Sequence, residues 1–180
     1  MENKESNKNI NYINFVEIFK SKSIERKFKL GQLISSFEYL PEEVFLIKEG
    51  NARLISKING QLTSIAKLSK GDFIGISSIL NDFSLEEVRA SKDLIVYVLK
   101  DHEFIKLYQE KFDIKNYCDN NIWISEILFI LKNLPKLFKK NLLLKTNLLD
   151  KLYLHSNLIS PELNDINNSF KKEQLLFSNY

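Results

Sequence analysis

The chain has 180 residues, 44% of them hydrophobic and 27% charged, and its 26 basic and 23 acidic side chains leave a net charge of +3. Such a length can bury one real core plus an appendage, while so slight a charge excess gives no warrant for a nucleic-acid surface. The single Cys118 excludes an internal disulfide, and two distant histidines, His102 and His155, exclude a zinc-type cluster.

The opening MENKESNKNINY is polar, without the apolar core of a signal peptide. The segment 10–20 (INYINFVEIFK) follows, with Ile10, Ile13, Phe15, Ile18 and Phe19 spaced as on an amphipathic helix. All five glycines then fall between residues 31 and 75, punctuating short β-rich runs. Those runs are 27–30, 33–37, 44–49, 52–58 and 61–68, with 87–91 and 94–99 after the last glycine. Asn59-Gly60 is the strongest hairpin signal, because a type I′ turn needs positive φ at both central positions. Ala52 and Leu54 alternate with Arg53 and Ile55, as on a strand with one buried face. Many short, closely spaced strands imply an antiparallel roll or barrel.

Beyond the roll, Asp101 is placed to cap a helix over DHEFIKLYQEKF, with Phe104, Ile105, Leu107 and Tyr108 on one side. A second helix is expected over about 121–134, ended by Pro135, and a third, leucine- and lysine-rich, over 136–155. The tail after Ser156 is rich in Asn and Ser. The chain thus divides into an N-terminal tail and helix (1–24), a roll (25–112), a helical extension (113–156) and a loosely ordered tail or linker (157–180). The apolar run Ile127–Leu131 is far too short for a bilayer span, so the chain reads as soluble, and the single cysteine reads as a reducing, cytoplasmic setting.

The stretches FKLGQLISSFEYLPEEVFLIKEGNARLIS, GDFIGISSIL and VRASKDLIVYVLKDHEFIKL together resemble a cyclic-nucleotide-binding domain of the catabolite-activator type. The resemblance covers about residues 25–110. It implies an α+β fold, mostly β: an antiparallel double-stranded β-helix, or jelly-roll-like β-roll, flanked by helices, plus the C-terminal helical extension. It also implies a cassette in which backbone N–H groups at the start of a short helix hold the cyclic phosphate. The matching positions here are Gly75, Ile76, Ser77 and Ser78.

Two side chains that the family uses are missing. The acid that holds the ribose hydroxyl is Ile76 here. Where an arginine would pair with the phosphate, the chain has Ser84-Leu85-Glu86, and Arg89 lies further along the next strand. An unpaired buried phosphate costs on the order of 2–5 kcal/mol. The lost ribose contact adds roughly 1–3 kcal/mol. Cyclic AMP or GMP is therefore not expected to bind, and no cofactor or metal is expected.

Residues 112–180 contain no glycine for a turn and no arginine, so a DNA-reading helix-turn-helix is not expected either. NYCDNNIWISEIL, with Cys118, Trp123 and Glu126, resembles the post-roll segment of the N-terminal domain in certain bacterial peptide- or toxin-exporting ABC transporters. That resemblance implies a regulatory or docking domain at the cytoplasmic face of the membrane, touching it only through a parent protein. The partners would be other domains of that parent, or a second copy engaged through the C-terminal helices. The alternatives are a genuine sensor of a cyclic nucleotide or another small ligand, or a degenerate transcription regulator. No catalytic constellation is visible: no histidine lies near Cys118, and Glu86 and Glu87, adjacent on a strand, point to opposite faces.

Overall fold

The computed structural model describes residues 2–58 and 61–133. In chain order these form α1 (Glu2–Lys22), β1 (Ile24–Phe28), β2 (Leu33–Ser35), β3 (Glu43–Glu49), β4 (Ala52–Ile58), β5 (Gln61–Leu68) and β6 (Phe73–Ile74). There follow α2 (Ile76–Leu80), β7 (Glu87–Ala90), β8 (Leu94–Lys100), α3 (Asp101–Glu110), α4 (Phe112–Asp119) and α5 (Ile124–Asn133). The strands make two four-stranded antiparallel sheets, ordered β1-β8-β3-β6 and β2-β7-β4-β5. This is the α+β roll flanked by helices that the sequence implies.

Alternation decides which side chains meet. Ala52 and Leu54 of β4, Val88 and Ala90 of β7, and Phe45, Ile47, Leu94, Val96 and Val98 of the facing sheet fill the inside of the roll. The central strand β3 is buried on both faces: Val44 and Leu46 point the other way, into a second core shared with the helices. There Phe15 and Phe19, one helical turn apart on α1, close on Phe73, with Phe15 stacked on it at 4.5 Å between centroids and Phe19 edge-on at 5.3 Å. Phe104 and Leu107 of α3, and Ile114 and Cys118 of α4, complete this layer. Burial pushes the Cys118 thiol up to about 12, as suits a packing residue rather than a nucleophile.

Turn chemistry explains several boundaries. Between β3 and β4, Gly50 has φ +88°, and a Cβ there would lie 2.2 Å from the Asp93 carbonyl oxygen. Ile58 and Gln61 pair directly, so β4 and β5 are joined by a two-residue link at 59–60, whose own conformation lies outside the described residues.

β1 begins earlier than the expected 27–30, because Ile24–Phe28 pairs with Val98–Leu94, while Lys29–Gln32 closes a turn. α1 likewise extends the expected 10–20 in both directions. The helix from Asp101 is not continuous. It breaks at Lys111, which is extended (φ −111°, ψ 109°) and caps α3 and α4 at once. Asp101 is the first helical residue rather than the cap, its carboxylate accepting the His102 N–H at 2.6 Å. The expected helix over 136–155 and the tail after 156 lie outside the described residues.

Candidate functional site

The site is built around the turn from β6 into α2. Gly75 takes φ +94°, and a Cβ there would stand 2.8 Å from the Glu43 carbonyl oxygen, so only glycine lets this turn pass so close to β3. From it, the six expected site residues go to different places. Ile76 is 1% exposed and enters the helix-side core beside Val44 and Phe73, away from the roll's interior. Ser77 Oγ lies 2.7 Å from Ser125 Oγ of α5. Ser78 Oγ accepts the Leu85 N–H at 3.0 Å. Ser84 donates its hydroxyl to the Ser36 carbonyl oxygen. Arg89 donates from Nε to Glu87 Oε1 at 2.8 Å, with a side chain 40% exposed. Gly75 and Ser77 are thus adjacent to one buried polar centre, Ser78 and Ser84 hold the loop behind it, and Arg89 is engaged on the strand.

That centre is Glu86, which the sequence reading placed only as an acid near the expected arginine. Its side chain is 7% exposed, and Oε1 accepts the Gly75 N–H at 2.5 Å. The Ser125 hydroxyl also donates to it. No lysine, arginine or histidine pairs with it among the described residues. Burial pushes the Glu86 carboxyl up to about 7, and the nearby Glu126 charge adds to the rise; the Gly75 and Ser125 hydrogen bonds only partly oppose it. The signal was present in the sequence. Val88 and Ala90 face inward on β7, and stepping back two more residues turns Glu86 inward as well.

Beside Glu86 opens a cleft of about 230 Å³. Ser125 and Leu54 flank the acid, Tyr12, Tyr117 and Trp123 form an aromatic wall, and Lys70 and Asp72 stand on the β5–β6 turn. The rings touch in series, with Tyr12 and Tyr117 centroids 5.7 Å apart and Tyr117 and Trp123 6.3 Å apart. Tyr12 also donates its hydroxyl to the Gly71 carbonyl oxygen at 2.8 Å, tying α1 to the turn.

The other side of the cleft is α5. Ile124 packs on the interior core of the roll, and Ile127 and Leu128 pack on Ile65 and Ile122. Glu126 accepts the Trp123 N–H at 3.2 Å, half of a capping box, and accepts from Asn81 Nδ2 at 2.9 Å. Among the described residues no group of three or more histidine, cysteine or acidic side chains is placed to hold a metal. No described helix is long and apolar enough to cross a membrane.

Residues 25–111 match the family model of the cyclic nucleotide-binding domain. Over that span, just under half of the chain, the roll is similar to that domain. The catabolite activator protein of Thermus thermophilus shares the fold at a TM-score of 0.51 and 19% identity, over 75% of this chain and 58% of that one. The regulatory subunit of a cAMP-independent protein kinase A from Trypanosoma brucei aligns at 18% identity and a TM-score of 0.42, over 53% of this chain and 39% of that one. Its Trypanosoma cruzi counterpart, bound to guanosine, aligns at 18% and 0.44, over 62% and 41%. The chain therefore spans less than two thirds of the length of these proteins, and at such identities the likeness is one of fold. No curated protein matches the sequence.

Proposed function

We propose that the roll is a non-catalytic regulatory domain that does not take cyclic AMP or cyclic GMP. One observation carries this reading: the Gly75 N–H, at the start of the short helix, is already bonded to the Glu86 carboxylate. A cyclic phosphate entering there would find that amide taken and, once Glu86 is ionised, a like charge in a dry site, where Coulomb repulsion is several-fold stronger than in water. Arg89 would not compensate it, being engaged with Glu87. Titration calorimetry of the full chain with cyclic AMP and cyclic GMP tests the reading. No saturable heat is expected at micromolar nucleotide, and a saturable isotherm in that range sinks it.

The regulatory signal would leave the roll through α5, which joins Ser77 through Ser125 and exposes Phe129 and Ile130. Those side chains begin the surface for a partner, either a further domain of the same protein or a second copy. Placement as a cytoplasmic domain of a bacterial ABC-type peptide or toxin exporter rests on the NYCDNNIWISEIL resemblance. Here Cys118 packs in the core, Trp123 walls the cleft and Glu126 caps α5. A reading frame that continues past Tyr180 into apolar spans and an ATPase supports that placement; a stop codon there removes it.

A further inference from the structure

The cleft beside Glu86 has a chemistry of its own. A buried carboxylate lines it with one backbone N–H and one serine hydroxyl as donors and no ion-paired cation among the described residues, so that any negative charge there is undercompensated. Three aromatic residues in mutual contact line the wall, and aromatic rings attract cations. At about 230 Å³ the space lies below the roughly 300–1,000 Å³ of pockets for drug-sized ligands. Resting on the reading that the cradle refuses a cyclic phosphate, we propose that the cleft is a binding site for a small organic cation. An amine or amidine there donates its N–H groups to Glu86 and lays its body against Tyr12, Tyr117 and Trp123.

The groups facing the acid set how this binding depends on pH. Glu126 on α5 and Asp72 on the β5–β6 turn are acidic, Lys70 stands at the turn, and Tyr12 of α1 and Tyr117 of α4 are phenols. From α2 come only the Gly75 amide at its start and the Ser77 hydroxyl, and β4 and β5 contribute Leu54 and Leu68. The titration that matters is that of Glu86 itself. With its carboxyl near 7, the ionised fraction rises about tenfold between pH 6 and pH 8.

The test is thermal-shift and calorimetric titration of the full chain with benzamidinium and 2-phenylethylammonium, which keep their charge over that range. Benzamide serves as the neutral control and cyclic AMP as the anionic one. Saturable stabilisation by at least one cation at pH 8, about tenfold weaker at pH 6 and at least tenfold weaker for benzamide, is the expected result. Glu86→Gln, its fold checked by circular dichroism, should weaken the cation at least tenfold. Silence of both cations at pH 8 overturns the inference, as does equal affinity at the two pH values, which needs no variant. Micromolar saturation by cyclic AMP overturns the parent reading; silence of cyclic AMP together with both cations overturns the cation site alone.

Discussion

The Glu86 carboxylate accepts the Gly75 backbone N–H at 2.5 Å, so a side chain just ahead of β7 occupies the amide at the mouth of α2. Gly75 can expose that amide only because it has φ +94° and no Cβ. α5 closes over the same spot, with Ser125 touching both Ser77 and the acid. The chain thus supplies its own acid at the amide where the cyclic-nucleotide-binding resemblance implies a phosphate.

A buried acid of this kind makes stability fall as pH rises. Between about pH 4.5 and 7 the folded chain holds a proton on Glu86 that the unfolded chain has released, so the unfolded state gains on the folded one across that window. At about 1.4 kcal/mol per pH unit the loss amounts to at most about 3 kcal/mol. Glu86→Gln keeps a carbonyl oxygen for the Gly75 N–H and has nothing to ionise. Urea unfolding at pH 5 and pH 8 should show the variant gaining on the parent by roughly 2–3 kcal/mol between the two conditions. A pH-independent difference would mean that the acid is not buried as described.

Gly75→Ala should be costly although it adds a single methyl. The new Cβ would meet the Glu43 carbonyl oxygen at 2.8 Å, and the residue would have to keep a left-handed φ. Together these are worth roughly 1–3 kcal/mol. Thermal unfolding is the simplest measurement, and an unchanged Tm would contradict the close approach of this turn to β3.

Much of the roll was legible because its signals are local. Asn59-Gly60 marked a two-residue link, Ala52 and Leu54 announced their shared face, and Gly50, Gly71 and Gly75 marked turns. The site was less legible because its contacts are not local. Ser77 meets Ser125 across 48 residues of sequence, and Ile124 reaches into the roll's interior from beyond a helix break that no proline or glycine marks. Ile76, read as a replaced ligand acid, is explained by Val44 and Phe73, neither of which any spacing rule would join to it. Glu86 lay in between: counting back along the strand from Val88 and Ala90 would have placed it inside, while its charge alone argues for the surface.

Glu43 should behave in the opposite sense to Glu86. The Arg26 guanidinium hydrogen-bonds it and holds its carboxyl below the usual range; burial opposes this, and Lys100 at 2.9 Å adds to it. Stability from this cluster is therefore fully present above about pH 4.5 and is lost as pH falls through the lowered value. Arg26 and Lys100 are each more than a third exposed, so solvent screening limits the effect to roughly 0.5–1 kcal/mol. Glu43→Gln should lower stability by that amount at pH 7 and by nothing measurable near pH 2. A cost that persists in acid would point to packing rather than charge.

The junction between the roll and α5 can be weighed through Ser77 and Ser125. Their hydroxyls are 2.7 Å apart, both residues are buried, and Ser125 has a second task in donating to Glu86. Ser125→Ala leaves Ser77 and Glu86 each short of a partner and should cost roughly 1–3 kcal/mol. Ser77→Ala removes the hydroxyl that only faces Ser125 and should cost less, near 1 kcal/mol. Because the two share one hydrogen bond, the double variant should be less destabilised than the sum, by roughly 0.5–1.5 kcal/mol. The acid adds a pH signature. Losing the Ser125 donor removes one of the two hydrogen bonds that favour the ionised carboxyl, so Ser125→Ala should titrate above the parent and be hurt more at pH 8 than at pH 5. Ser77→Ala should cost the same at both. Strict additivity of the two substitutions, with no difference in their pH profiles, would mean that α5 does not seat Ser125 against the acid.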